Sequence, residues 1–309
     1  MSHTPVLLEE TVSALQIQSF GRYVDGTFGR GGHSRALLSR LGQDGRVLGL
    51  DRDPEAVAVG AQLAAEDARF QIQRGSFADI SALLTAAEFA RPLNGLLLDL
   101  GVSSPQLDTP ERGFSFKADG PLDMRMDPHS GESAADWLAR ADHAEIATVI
   151  REFGEERFAN RIARAICETR QHTPLVTTAH LAELIAQAVP TREPGKHPAT
   201  RTFQALRIQV NGELEALCRC LNQVCELLAP GGRLAVISFH SLEDRLVKRF
   251  IRRETKGPEL PKGVPARAVE MQGRLRPIGK AIRPTEREAK LNPRARSAVL
   301  RVAERLPHG

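Results

Sequence analysis

Long apolar runs are missing from this chain of 309 residues. No stretch approaches the ~18 uninterrupted apolar residues of a membrane-spanning helix, so no span is expected. The one early apolar run carries Glu9 and Glu10, which argues against a signal peptide. Cysteine is scarce: Cys167, Cys218, Cys220 and Cys225 include no Cys-x-x-Cys pair. Zinc is not expected, and core or semi-buried thiols in a reducing cytoplasm are. Aromatic residues make up only 5%, so any stack on a base must draw on few side chains. The lone Trp137 and lone Tyr23 are read as packing residues.

What is present suffices for a core. Hydrophobic residues make up 41% of the chain, and its length suits one large or two ordinary domains. The net charge of +4 is mild but unevenly placed. Residues 245–309 hold 18 Lys/Arg against 6 Glu, while residues 1–244 hold 24 Lys/Arg against 32 Asp/Glu. A basic C-terminal segment on an acidic body points to nucleic acid as the partner, against the plainer reading of a solvated basic surface.

The chain is organised around Tyr23-Val24-Asp25-Gly26-Thr27-Phe28-Gly29-Arg30-Gly31-Gly32-His33. A short strand at Tyr23–Asp25 turns through four glycines into an apolar-faced helix, a geometry that brings backbone N–H groups close to a ligand. The next strand, Arg46–Asp51, ends in an acid ~20 residues past the loop, where a carboxylate accepts hydrogen bonds from ribose hydroxyls. The glycine spacing departs from Gly-x-Gly-x-x-Gly and suits a nucleoside ligand without a pyrophosphate.

Further along, a helix starts at Pro54, a third strand covers Phe70–Gln73, and a helix covers Asp79–Phe89. The run Leu96-Leu97-Leu98, ending at Asp99, suits a central parallel strand buried on both faces. This alternation predicts a doubly wound α/β sheet, whose ligands bind beyond the carboxyl ends of its strands. Asp25, Asp51, Phe77 and Asp99 all fall at such ends. The pattern then turns to a Gly/Pro/Ser-rich loop over 101–131 and to purely helical periodicity, read as an insertion. One long helix is expected through Phe203, Leu206, Val210, Leu214, Leu217, Leu221, Val224 and Leu228, closed by Ala229-Pro230-Gly231-Gly232. A fifth strand at Arg233–Ser238, a basic helix opened by Ser241-x-x-Asp244, a proline-rich basic stretch over 254–296 and a last strand at Ser297–Ala303 complete the chain.

Seven stretches in order resemble one family: Asp25–His33, Leu50–Pro54, Leu98–Gln106, Gly120–Met126, His197–Phe203, Ser238–Asp244 and Asn292–Ser297. They are similar to the bacterial ribosomal RNA small subunit methyltransferase H family, which methylates N4 of a cytosine in the decoding region of 16S rRNA. The resemblance implies a class I (Rossmann-like) methyltransferase domain over residues 1–104 and 199–309, and an inserted helical substrate-recognition domain over 105–198. It implies S-adenosylmethionine as cofactor, held by Gly31, Gly32, His33, Asp51, Phe77, Asp99 and Gln106. It further implies 16S rRNA, within the small ribosomal subunit, as partner, and a cytoplasmic enzyme; the oligomeric state stays open.

Methyl transfer from a sulfonium is an in-line displacement that needs alignment and partial desolvation, not a metal. Cytosine N4 is a poor nucleophile, so acceptors for its N–H groups are sought. Asp99 and the carbonyls of Ser103, Ser104 and Pro105 are the candidates, although that run also suits a plain turn. Ring-carbon methylation would need a cysteine, and none lies near these motifs. The base must leave its stack; Phe114 or Phe116 would stack on it or else pack inside the insertion. Arg125, His197, Arg201, Arg294 and Arg296 are candidate RNA contacts, with His197 alternatively capping a helix. Two other classes compete: a nicotinamide-dependent dehydrogenase on the same sheet, and a non-catalytic RNA-binding assembly factor.

Overall fold

The structure is a computed structural model that describes residues 5–191, 195, 197–256 and 273–307. His3 and residues 257–272 of the basic, proline-rich stretch lie outside the described residues. The chain divides into two compact units, residues 1–101 with 214–309 and residues 102–213.

The first unit opens with α1 (Leu8–Ala14), β1 (Arg22–Asp25), α2 (Gly32–Arg40), β2 (Arg46–Asp51), α3 (Pro54–Glu66), β3 (Phe70–Arg74), α4 (Ile80–Ala86) and β4 (Leu93–Asp99). Within the second unit the chain forms α5 (Ser104–Asp108), α6 (Ala134–Arg140), α7 (His143–Gly154), α8 (Ala159–Arg170), α9 (Thr178–Ala188) and α10 (Thr200–Asn211). Then come α11 (Glu213–Leu227), β5 (Leu228–Ser238), α12 (Ser241–Lys256), β6 (Leu275–Pro277), α13 (Glu286–Leu291) and β7 (Val299–Arg305).

The sheet order is β3-β2-β1-β4-β5-β7-β6. The first five strands run parallel, and β7 runs antiparallel to both its neighbours. β1 and β4 sit side by side, with Val24 opposite Leu96 and Asp25 opposite Leu97. The chain reverses its direction of winding here, and this is the switch point where such sheets bind ligands.

The alternation along each strand explains the three layers. Leu96 and Leu98 of β4 join Leu234 and Val236 of β5 in a core that includes Leu84 of α4, Leu221 of α11 and Val247 of α12. Leu97, Ala235 and Ile237 point the other way, into a core with Leu37 and Leu38 of α2 and Leu63 of α3. Leu96, Leu97 and Leu98 are wholly buried, at about 1.5–3 kcal/mol of transfer free energy each. Truncating any of them to alanine costs about 2–5 kcal/mol.

Four local expectations are corrected. The helix expected through Leu228 is broken at Gly212, whose φ of +58° is left-handed and suits glycine. Phe203 and Leu206 then serve the core of the second unit, while Leu217, Leu221 and Val224 serve the sheet. The compact unit accordingly runs on past residue 198 through α10. β5 begins pairing at Leu228, opposite Leu93, and passes through the glycines with a shift in register before Arg233. β7 starts at Val299, because Pro293–Ser297 coil into a 3-10 turn. β6 was not legible: three residues ending in proline carry no period to read.

Candidate active site

β1 delivers Asp25 to the switch point, and the glycine loop folds around its carboxylate. Asp25 accepts the hydroxyl of Ser34 at 2.8 Å and the backbone N–H of Thr27 at 3.3 Å, so loop and helix are tied to one buried acid. Burial pushes its pKa up to about 6. Gly29 and Gly31 have φ of +55° and +75°. A Cβ on Gly31 would lie 2.6 Å from the Phe28 ring, and one on Gly32 would lie 2.2 Å from Pro5. Close packing of the chain on itself thus demands both glycines, a reason the sequence did not suggest.

Asp51, at the end of β2, accepts the N–H of Gly29 at 2.8 Å on one oxygen and that of Asp53 at 2.9 Å on the other. Each oxygen keeps a second lone pair, so the carboxylate holds the loop and still accepts from hydroxyls. Burial raises its pKa. Asp53 caps α3 through the N–H of Glu55. Phe77 opens the 3-10 turn after β3, and its Cβ lies 3.4 Å from where a side chain on Gly26 would stand.

Asp99 closes β4. Its backbone N–H donates to the hydroxyl of Thr27 at 2.6 Å, which fixes the strand end against the loop. The carboxyl itself is poorly served: Oδ1 is buried without a hydrogen-bond partner among the described residues. Oδ2 lies 3.7 Å from Nδ1 of His33, too far for a hydrogen bond. Burial pushes the His33 pKa down to about 4, so at neutral pH the ring is uncharged and the contact is no salt bridge. Nε2 of His33 is also unpartnered. Burial raises the Asp99 pKa well above the usual carboxylate range, with the charges of Asp25 and Glu243 adding to it.

β5 brings the third edge. Asp99 sits opposite Ile237, and the N–H of Leu100 donates to the Ile237 carbonyl at 3.0 Å. Ser238 follows, its hydroxyl buried, and among the described residues neither that hydroxyl nor either ring nitrogen of His240 has a hydrogen-bond partner. Glu243, on the first turn of α12, accepts the N–H of Phe239 at 2.8 Å and that of His240 at 3.3 Å. Asp244, read in the sequence as the partner of Ser241, instead pairs with Arg301 of β7 at 2.6 and 3.0 Å. Seven buried side-chain polar atoms lack partners among the described residues, and five of them belong to His33, Asp99, Ser238 and His240. No group of three His, Cys, Asp or Glu among the described residues is placed to hold a metal ion. Ser238, His240 and Glu243 escaped the list of site residues drawn from the sequence. The signal was the run Ser238-Phe239-His240-Ser241-Leu242-Glu243, whose polar residues directly follow an apolar strand.

The unpartnered atoms fit a cationic nucleoside. A carboxyl with one oxygen buried and unpartnered, three-quarters covered and next to a neutral imidazole, suits a ligand that brings positive charge. Asp51 offers acceptors to a ribose, and Phe77 an apolar face.

The remaining sequence candidates lie in the second unit or on the basic segment. Gln106 is buried and forms a capping box with Ser103: the N–H of Ser103 donates to its Oε1 at 2.9 Å. Ser104 and Pro105 form the first turn of α5. The carbonyls of Ser103 and Pro105 already accept the N–H groups of Leu107 and Thr109, so the helix itself uses two of the expected acceptors. Phe114 is buried in the core of this unit, under the guanidinium of Arg112 at 5.9 Å. Phe116 packs against His197 and Phe203, ring centroids 4.7 Å apart in each case. Nδ1 of His197 accepts the N–H of Ala199 ahead of α10. Arg125 makes a two-pronged pair with Asp123, and Arg201 donates to the carbonyl of Glu155. On the basic segment Arg294 is half-buried and Arg296 exposed.

Residues 1–306 match the model of the MraW methylase family. A protein of Thioalkalivibrio sulfidiphilus, Ribosomal RNA small subunit methyltransferase H, is 63% identical over 306 residues, covering 99% of this chain and 98% of that relative. Among solved structures, an rRNA methylase from Streptococcus thermophilus is similar at 9% identity with a TM-score of 0.44, covering 99% of each chain. A SAM-dependent O-methyltransferase from Thermotoga maritima is similar at 10% identity with a TM-score of 0.42, covering 99% of this chain and 68% of its own.

Proposed function

This chain belongs to the MraW methylase family, and from that premise we propose that it transfers a methyl group from S-adenosylmethionine to the N4 amine of a cytosine in the decoding region of 16S rRNA. The observation that carries the reading is the set of unpartnered polar atoms of His33, Asp99, Ser238 and His240, gathered at the carboxyl ends of the sheet. The relative is named for methylation of small-subunit ribosomal RNA, and the basic C-terminal segment supplies charge for such a partner. The enzyme works in the cytoplasm of a bacterium, on RNA assembled with the small subunit. No helix among the described residues is long and apolar enough to cross a membrane.

When bound, S-adenosylmethionine supplies an electrophilic methyl group on a sulfonium. The residues of the chain do the rest. Asp51 accepts from the ribose hydroxyls while it keeps the loop at Gly29 in place. Phe77 faces the adenine. Gly31, Gly32, His33 and Asp99 border the methionine end, and the family resemblance adds Gln106 as a cofactor residue. Positive charge beside Asp99 reverses the cost of ionising it, so the carboxylate forms as the site fills. In that form Asp99 accepts an N–H of the cytosine amine and orients its lone pair. Ser104, Pro105, Phe116, Arg125, His197 and Arg201 belong to the unit that presents RNA, and Arg294 and Arg296 contact phosphates. Phe114 supports that unit from its core.

Transfer of labelled methyl to undermethylated small subunits, followed by identification of the product nucleoside, tests the reading. N4-methylcytidine is the expected product; a label on ring carbon or on the ribose would overturn it. Calorimetry in buffers of different ionisation enthalpy tests the part played by Asp99. Cofactor binding should release a proton and should tighten as the pH rises.

A further inference from the structure

The fifth strand ends in Ser238, and the chain then makes one turn through Phe239 and His240 before α12 begins. Glu243 organises that turn. One of its oxygens accepts both N–H groups of the turn, and the other lies 3.1 Å from Nε2 of His240. The His240 side chain is 8% exposed and that of Glu243 is 3% exposed, so neither is held there by water. Off the line of a hydrogen bond, the imidazole is close enough to feel the carboxylate, while both its nitrogens lack hydrogen-bond partners among the described residues. A buried imidazole with unused nitrogens costs stability, and a structure that keeps one at a strand end keeps it for a ligand.

The other acids and bases of the cluster are committed elsewhere. Asp25 is occupied by Ser34 and Thr27. His33, with its pKa near 4, is a poor base. Asp51 holds the loop. Asp99 faces the cofactor and orients the amine. Of the two imidazoles at the strand ends, His240 has the closer carboxylate, 3.1 Å from its ring against 3.7 Å for His33, and a carboxylate beside an imidazole is the pairing of general-base catalysis.

Resting on the methyl-transfer reading, we propose that His240 takes the proton released by the target amine and that Glu243 is its positioning residue. The amine lone pair forms the N–C bond, the C–S bond breaks, and its electron pair stays on sulfur as a neutral thioether. The nitrogen is then cationic. Its N–H electron pair returns to nitrogen as the proton passes to Nδ1 of His240, which leaves neutral N4-methylcytosine and an imidazolium beside Glu243. Nε2, 3.1 Å from a Glu243 oxygen, keeps its proton beside that charge, and solvent later removes the proton on Nδ1.

The test is single-turnover methylation of undermethylated small subunits from about pH 5.5 to about 9, with wild type, His240→Asn and Glu243→Gln. The wild-type rate should rise with pH to a plateau, since an imidazolium cannot accept. His240→Asn should lower that plateau about a hundredfold and abolish the acid limb. Cofactor affinity by calorimetry and RNA affinity should stay within about twofold. Glu243→Gln should move the acid limb to lower pH, because an amide does not stabilise the imidazolium. A readout independent of turnover is the titration of the His240 ring followed by NMR in cofactor-free protein, which Glu243→Gln should shift in the same direction. An unchanged acid limb in His240→Asn would overturn the proposal, as would recovery of its rate at saturating cofactor or RNA. If His240→Asn fails to fold, an unshifted ring titration in Glu243→Gln overturns it equally. Absence of methylation by wild type would sink the function reading instead, and the ring titration would still report on the pair.

Discussion

In the second unit, Arg125 closes on Asp123, His197 packs on Phe116 and accepts the N–H of Ala199 ahead of α10, and Arg201 rests on a backbone carbonyl. At the strand ends of the first unit, Asp99, His33, Ser238 and His240 hold buried polar atoms that nothing among the described residues satisfies. The second-unit residues, His33 and Asp99 stood out in the sequence for the same reason, as polar or aromatic residues in distinctive motifs, whereas Ser238 and His240 did not. The structure separates them by their partners. Groups that find partners inside the fold repay their burial in stability, whereas groups left unpaired cost stability until a ligand arrives.

The largest effect that bears on this contrast is a pH effect at His33. The unfolded imidazole has a pKa near 6.5 and the folded one near 4. The stability this shift contributes is complete above 6.5 and is lost as the pH falls toward 4. Urea denaturation of cofactor-free protein at pH 7 and pH 4.5 should therefore show wild type losing roughly 2–3 kcal/mol relative to His33→Gln. Equal losses in the two proteins would mean that the ring is hydrated.

Asp51→Ala comes next. It should weaken cofactor binding by roughly 1.5–3 kcal/mol, the scale of hydrogen bonds to a charged group. Some stability should go with it, because Gly29 and Asp53 lose their acceptor. Unchanged affinity by calorimetry in a folded variant would remove the ribose assignment.

Asp99→Asn should lower the single-turnover rate at least about tenfold, roughly 1.4 kcal/mol. Its stability without cofactor should hold or improve at neutral pH, because an acid with a buried, unpartnered oxygen becomes a neutral amide. Full recovery of rate at saturating cofactor would leave Asp99 as a binding residue only. A marked loss of stability would mean that Asp99 is structurally paired, and the contrast between the units would fail at its central residue.

Arg125→Ala sharpens the other side. The pair with Asp123 is about three-quarters buried, with side chains 24% and 23% exposed. Its loss should cost roughly 0.5–1.5 kcal/mol of stability, discounted for that exposure, and leave cofactor affinity unchanged. The smallest effect belongs to the basic segment. Replacing Arg294 and Arg296 by alanine should flatten the salt dependence of RNA binding by up to ~2 in slope, ~1 per phosphate contact. An unchanged slope would show that these charges serve the acidic body of the protein.

Much of the sheet was legible beforehand. Leu96-Leu97-Leu98 announced a strand buried on both faces, and Asp51 and Asp99 fell at strand ends because turns follow them directly. The register of β1 against β4 was not legible, since every parallel strand here reads as a similar apolar run. Periodicity through Gly212 was read correctly as helical and wrongly as continuous, because period reports a buried face and not which core buries it. Glu243 looked like one more acid on a charged helix, and only its contacts with Phe239 and His240 reveal what it organises.

The order of strands and helices, the glycine turn and the placing of chemically able residues at strand ends were properties of the sequence alone. They depend on local period, on backbone conformation and on neighbours a few positions away. Which of those residues are satisfied was decided only by tertiary structure. A carboxyl at Asp25 is quenched by Ser34, while one at Asp99, on the adjacent strand, finds no donor for Oδ1 among the described residues. A hydrogen-bond partner is a matter of distance and direction in space, and the segments that set both for Asp99 lie in β1, α2 and α12, far from it along the chain.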